Sequence, residues 1–274
     1  MATVEGTLAG KVAFITGAAR GQGRSHALRL AAEGADVIAV DLCAQIESVP
    51  YALSTPEDLR ETAETIEALD RRVHAVVADV RDAAAVRAAV AEGVAALGRI
   101  DVVLANAGIA PMSLHDHEDA WRDVIDVNLT GVQNTLAATA PVLVAQGDGG
   151  AMVLTSSTMG LAGVGTEAPG ALAYTASKHG VVGLMRAYAN QLAPHSIRVN
   201  TVHPTGVGTA MVINPAMQEY LEAIGTRTGG GNALPVPMIE PIDVSNAIAW
   251  LVSDAARYVT GITLPVDAGY VNQR

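Results

Sequence analysis

The stretch "KVAFITGAARGQGRSHALRLAAEGADVIAVD", residues 11–41, reads as strand, glycine-rich turn, helix and strand. Its two apolar runs, KVAFIT and DVIAV, are continuous rather than alternating, as in strands covered on both faces. Between them, Ser25 to Ala32 continues a helical pattern. A strand that enters a helix through glycines and returns as a second strand begins a doubly wound sheet.

Five further apolar runs follow: VHAVVA (73–78), IDVVLA (100–105), AMVLTS (151–156), IRVNTV (197–202) and GITLPV (261–266). Helical patterns separate them. The expected fold is α/β, a seven-stranded, doubly wound parallel sheet with helices on both faces, in one domain over residues 1–274. Thr55 can cap a helix with Pro56 in its first position and Glu57 and Asp58 at its positive end. That helix is predicted to run to about Arg72, the cationic pair suiting its negative end. Residues 42–54, "LCAQIESVPYALS", are then an irregular insertion directly after the second strand. Residues 205–240, rich in Gly and Pro, read as a mobile flap with a short helix near Pro215–Ile224.

Half of the 274 residues are apolar but only 3% are aromatic, so small side chains must bring helices and sheet together. A net charge of −11 offers no basic stripe for nucleic acid. Cys43 is the single cysteine, which excludes intrachain disulfides and multi-thiolate metal sites and fits a reducing cytoplasm. The N-terminus has no signal-peptide pattern, and no apolar run reaches the length of a membrane span.

Gly17, Gly21 and Gly23 form TGxxxGxG at the end of the first strand. A pyrophosphate fits against the helix N-terminus there, because glycine removes the Cβ atoms that would block it. Asp41 closes the second strand, where a carboxylate accepts from adenosine ribose hydroxyls and repels a 2′-phosphate. Unit charges about 4 Å apart interact by roughly 4 kcal/mol at an effective dielectric near 20, enough to decide cofactor choice. Asp41 therefore favours NAD, while Arg20 is the cation that keeps NADP(H) open. Further along, Tyr174 and Lys178 are four apart at the start of a helical pattern and share a face. An ammonium there favours tyrosinate over phenol, as a base near neutral pH requires. Ser157 ends the fifth strand, where its hydroxyl can polarise an alcohol or carbonyl oxygen.

These motifs together resemble the short-chain dehydrogenase/reductase (SDR) superfamily over nearly the whole chain. TGAARGQG matches the cofactor loop, with Arg20 and Gln22 between its glycines, and Leu42 follows the ribose acid. Asp79-Val80 resembles the adenine-contacting pair, and Asn106-Ala107-Gly108 the NAG motif that supports the central sheet. The resemblance implies a Rossmann-type fold, a homotetramer through helices near 117–146 and 173–193, and a tetrad of Asn128, Ser157, Tyr174 and Lys178. By it, Asn128 holds a water that links Lys178 to solvent. The pattern SSxxG assigns the second serine, Ser157, and strand alternation turns Ser156 away. Pro204, Thr205, Val207 and Thr209 resemble the PGxxxT segment at the nicotinamide, with Thr205 where the family has glycine. Relative to the family, the path from Ser157 to Tyr174 is longer, with the extra residues in GTEAPG (165–170).

The insertion after Asp41 further resembles the mycofactocin-associated SDR subfamily, whose members include carveol dehydrogenases. That implies tightly held NAD, recycled through mycofactocin as an external electron carrier, and a small apolar, alicyclic or terpenoid secondary alcohol. Residues 42–54 are then expected to fold over the adenosine end. Two other readings stand beside it: an NADP(H)-dependent ketoreductase with exchangeable cofactor, and a non-enzymatic dinucleotide sensor. No metal is expected, since His115-Asp116-His117-Glu118 reads as a solvated loop. His203 reads as a satisfied structural histidine and Cys43 as packing near the adenine pocket. Met211, Met217 and Met238 lie in or beside the flap, where they either shape an apolar pocket or simply pack.

Overall fold

The computed structural model describes residues 6–115, 117–163, 166–225 and 231–273. Seven strands form one sheet: β1 (Val12–Thr16), β2 (Asp36–Asp41), β3 (Val73–Val77), β4 (Val102–Ala105), β5 (Gly150–Thr155), β6 (Ile197–Pro204) and β7 (Thr263–Val266). Their order is β3-β2-β1-β4-β5-β6-β7, and every neighbouring pair is parallel. The expected fold class is thus the observed one. The helices are α1 (Gly21–Ala32), α2 (Pro56–Glu67), α3 (Ala83–Leu97), α4 (Ala120–Ile125), α5 (Gly131–Gln146), α6 (Pro169–Leu192), α7 (Pro215–Ile224) and α8 (Pro241–Val252).

Alternation along β1 explains the layers. Ala13 and Ile15 pack in one core with α1, α2 and α8, whereas Val12 and Phe14 pack in the other with α3, α5 and α6. Both faces are dry, so the strands need no polar alternation. The chain winds outward from β1 to β3 on one side and from β4 to β7 on the other. A crevice therefore opens at the carboxyl ends of β1 and β4, where the winding reverses.

Thr55 caps α2 in a reciprocal capping box with Asp58. The helix stops at Glu67, short of the Arg72 predicted. Asp70 adopts a left-handed φ of +57° that turns the chain into β3. Arg72 is drawn to Asp36 instead of a helix end, donating from its main-chain nitrogen and from Nε, each at 2.8 Å. The run from α4 to α5 is continuous through a π-helical turn at Asp126–Thr130, a local widening that recurs at functional sites. In the predicted flap, α7 forms at Pro215–Ile224, and the segment is pinned at its base by Gly208 N–H to Ile239 O and Ile239 N–H to Gly206 O. Residues 226–230 of that flap, Gly165 of the predicted GTEAPG bulge and Asp116 of the histidine loop lie outside the described residues.

Candidate active site

A cavity of about 450 Å³ lies at the reversal point. Gly17 and Gly23 build its floor. A Cβ on Gly17, whose φ is +70°, would stand 2.9 Å from Ala107 Cα; one on Gly23 would stand 1.9 Å from Gly17 O. Larger residues would push the loop off the sheet. Arg20, in extended backbone, precedes α1 without giving it a side-chain cap, so the first-turn amides remain open toward the cavity. Gln22 Oε1 is buried there with no protein partner.

Asp41 is buried, and its carboxylate accepts from Ala19 N at 2.9 Å, Cys43 N at 3.2 Å and the Ser54 hydroxyl. Two of these meet Oδ1, which leaves Oδ2 with a single donor and room for another. Arg20, the cation that kept NADP(H) open, gives NH1 to the Ala52 carbonyl and sits 6.0 Å from the Tyr51 ring centre. The insertion holds this guanidinium.

At the other end, α6 carries Tyr174 and Lys178 to the tip of β5. The Tyr174 hydroxyl is hydrogen-bonded to the Ser157 side chain. Ser157 Oγ also accepts from Met159 N at 3.1 Å, while the Ser156 hydroxyl donates to the Lys178 carbonyl at 2.9 Å. The two serines thus diverge as strand alternation requires. Burial raises the Tyr174 phenol above its ordinary pKa, and the Ser157 bond opposes it. The same burial pulls the Lys178 ammonium down to about 8. Lys178 Nζ donates to Thr155 O at 2.8 Å and lies 5.4 Å from the Tyr174 ring centre. Asn128, fully buried in the π turn, is paired on both sides with Ile109: Nδ2 donates to its carbonyl and Oδ1 accepts its N–H, each at 2.8 Å.

Residues 42–54 form a strap along this cavity. Gln45 organises it, donating from Nε2 to the carbonyls of Ile46, Val49 and Tyr51 and accepting from Leu53 N. Ile46, Val49 and Tyr51 are buried with Val80, Ile109 and Val127. Two bonds tie the strap to the far wall: the Tyr51 hydroxyl accepts Ala110 N–H at 3.0 Å, and the Ser48 hydroxyl donates to Asp123 Oδ2 at 2.6 Å. Asp123 also pairs with Arg81, which grips Asp79.

The cavity is lined by Gly17, Arg20, Gly21, Gln22, Gly23, Asp41, Leu42, Asp79 and Val80, by Asn106, Ala107 and Gly108, by Ser157, Tyr174 and Lys178, and by Pro204, Thr205, Val207 and Thr209. Of the predicted catalytic and cofactor-binding residues, Asn128 alone stands behind the wall rather than in it. Asn106 bridges strands, giving Nδ2 to Thr16 O and accepting the Thr155 hydroxyl. Thr205 donates to Asn232 Oδ1, a bond glycine could not make. Sequence reasoning missed Tyr51 and Ser48; the signal was an aromatic inside an irregular loop of a chain with so few aromatics. Cys43 is buried, its thiol raised to about 11 by burial and then by Asp41. Met211 lines the cavity, Met217 packs with Ala171 and Tyr220, and Met238 approaches Gly206. Among the described residues, no three His, Cys, Asp or Glu side chains gather as metal ligands.

The short chain dehydrogenase family model matches residues 11–219. The chain is 49% identical to (−)-trans-carveol dehydrogenase of Rhodococcus erythropolis, over 98% of this chain and 99% of that one. It is 57% identical to an uncharacterized oxidoreductase of Mycobacterium tuberculosis, over 99% and 100%. Among solved structures, carveol dehydrogenase from Mycobacterium avium in complex with NAD superposes with a TM-score of 0.88 at 48% identity, covering 97% of this chain and 99% of that one. A short chain dehydrogenase from Mycobacterium paratuberculosis bound to NAD gives 0.90 at 45%, covering 97% and 100%. The matched residues 11–219 span the glycine loop, Asp41 and the Ser157–Tyr174–Lys178 cluster, and the chain belongs to the short-chain dehydrogenase family of oxidoreductases.

Proposed function

We propose that the chain oxidises a small apolar secondary alcohol, carveol-like or otherwise alicyclic or terpenoid, to its ketone, reversibly, with NAD held under the strap. The observation that carries this is the convergence of Ser157, Tyr174 and Lys178 on the cavity whose other end holds Asp41. The residues present fit a dinucleotide: a Cβ-free floor, open helix amides, an unpartnered Gln22 oxygen and a carboxylate with room for a ribose hydroxyl. Bound there, the dinucleotide supplies the hydride acceptor. Tyr174, as tyrosinate, takes the alcohol proton at its phenolic oxygen, and Ser157 holds the substrate oxygen. Lys178 spends one donor on Thr155 O, leaving two for ribose hydroxyls, and its charge favours tyrosinate. Asn128, by the same reading, orders the water that returns protons to Lys178.

NAD is favoured over NADP(H) because Arg20 is occupied by Ala52 and Tyr51 while Asp41 faces the cavity. The NAD-bound relatives support the same choice. A purely dinucleotide-sensing role would have no use for the Ser157–Tyr174 bond beside a buried lysine. A strap fastened on both sides implies slow cofactor exchange, hence reoxidation in place by an external carrier such as mycofactocin. The single cysteine suits a reducing cytoplasm; among the described residues, no helix is long and apolar enough to cross a membrane. Exposed Trp121 on α4 and Leu172 on α6 suit a homotetramer packed through that face.

Non-denaturing mass spectrometry of the purified protein, followed by single-turnover reduction of the retained cofactor, tests this reading. We expect NAD to copurify, and Tyr174→Phe to keep it while losing most turnover. Nucleotide-free protein that turns over rapidly on added NAD alone overturns the retention; near-normal turnover in Tyr174→Phe overturns the chemistry.

A further inference from the structure

The imidazole of His203, at the end of β6, is fully buried with both nitrogens engaged. Nδ1 lies 2.8 Å from the main-chain oxygen of Ser157, and Nε2 lies 2.8 Å from Thr201 Oγ1. A carbonyl oxygen only accepts, so Nδ1 carries the proton and Nε2 takes the Thr201 hydroxyl proton. Burial keeps the ring neutral by pulling its pKa down to about 4; the bond to Ser157 opposes this, the charges of Lys178 and His179 add to it, and Asp267 opposes it. The tautomer is therefore fixed.

The backbone explains why this tie is needed. β5 and β6 remain in register to Thr155 and Val202, and Ser156 N–H donates to Val202 O at 2.9 Å. β6 then runs into Pro204, which has no N–H to give. The strand ladder thus ends one residue short of Ser157, the residue whose hydroxyl must be aimed. Apart from Gly160 N–H, which belongs to the turn that follows, the His203 ring donates to the Ser157 carbonyl and anchors it to the sheet.

We infer that His203 is a positioning residue for the reaction: its Nδ1–H fixes the Ser157 peptide and thereby aims the Ser157 hydroxyl at Tyr174. The inference rests on the reading of Ser157 as the holder of the substrate oxygen. A misplacement of about 1 Å at such a group costs on the order of 100-fold in rate.

Two amide variants separate positioning from mere filling of space. The Asn side-chain nitrogen falls near the place of Nδ1 and can still donate to Ser157; that of Gln falls near Nε2 and cannot. Both are to be assayed as holoenzyme, with carveol as the alcohol probe and nicotinamide absorbance as the readout, beside Ser157→Ala. We expect His203→Gln to lower kcat about 10- to 100-fold with the alcohol KM and NADH binding within about threefold. His203→Asn should restore most of that loss at a similar melting temperature. If His203→Gln stays within about twofold of the parent while Ser157→Ala is slow, the inference falls alone. Equal losses in Asn and Gln variants that track their melting temperatures also overturn it. A fast Ser157→Ala removes the underlying reading of Ser157, and the inference with it.

Discussion

Replacing Tyr51 by Phe removes one oxygen from the strap and leaves its ring among Ile46, Val49 and Val80. That oxygen accepts Ala110 N–H at 3.0 Å in a buried setting. Without it, the closed strap leaves an amide buried and unpaired, which costs about 1–3 kcal/mol. In the lifted strap both groups meet water, so the cost falls on the closed state alone. At about 1.4 kcal/mol per tenfold, the closed-to-open ratio falls by roughly 5- to 150-fold. If the dinucleotide leaves only through the lifted state, its release accelerates by the same factor. The assay is a chase: holoenzyme carrying NADH is mixed with excess NAD, and the loss of bound NADH fluorescence is timed. Ser48→Ala, which breaks a charge-assisted bond to Asp123, should accelerate release by a comparable factor. Release within about twofold of the parent in both variants, with lowered melting temperatures, would refute the reasoning: the strap would then stabilise the fold without gating the cofactor.

Two other outcomes are expected. Asp41→Asn retains an acceptor for Ala19 N but removes the charge, so the ratio of NADPH to NADH dissociation constants should fall at least tenfold, read by fluorescence titration; an unchanged ratio would place the selectivity elsewhere. His26 and His203 are buried with pKa values lowered to about 3 and about 4, in each case chiefly by burial. Their folded values lie below the unfolded one near 6.5, so the unfolded chain binds more protons between these limits. Their contribution to stability is complete above about pH 6.5 and is lost as pH falls toward 4. At pH 5 this amounts to about 2 kcal/mol per histidine, and denaturation at pH 7.5 and pH 5 should show His203→Asn losing about that much of the parent's pH dependence.

The strands, the glycine loop and the grouping of Tyr174 with Lys178 were legible because each rests on a short-range rule. Continuous apolar runs mark doubly covered strands, glycines mark backbone approaching backbone, and Tyr174 and Lys178 share a helix face. The capping box at Thr55 was readable for the same reason. The end of α2 was not, because a long-range partner, Asp36, captured Arg72. Nor was the path of residues 42–54. That path is set by one glutamine side chain bonding to the loop's own carbonyls, and by contacts to Ala110 and Asp123 far along the chain. No periodicity encodes such a loop; its only trace in the sequence was the aromatic Tyr51.

The cavity is therefore covered by the strap along its cofactor end. The strap is fastened by hydrogen bonds from buried side chains at Ser48, Tyr51 and Ser54, and by its own apolar cluster. Beside the start of α6, α7 rests Met217 and Tyr220 on Ala171 and Met112, with the Tyr220 hydroxyl donating to Thr166 Oγ1. Lifting the strap exposes an unpaired amide, a carboxylate and several aliphatic side chains together. The Tyr220 hydroxyl bond to Thr166 is neutral and worth about 1 kcal/mol. If the proposed retention holds, alcohol and ketone exchange while the dinucleotide stays in place, and its reoxidation falls to an external carrier that reaches the cavity.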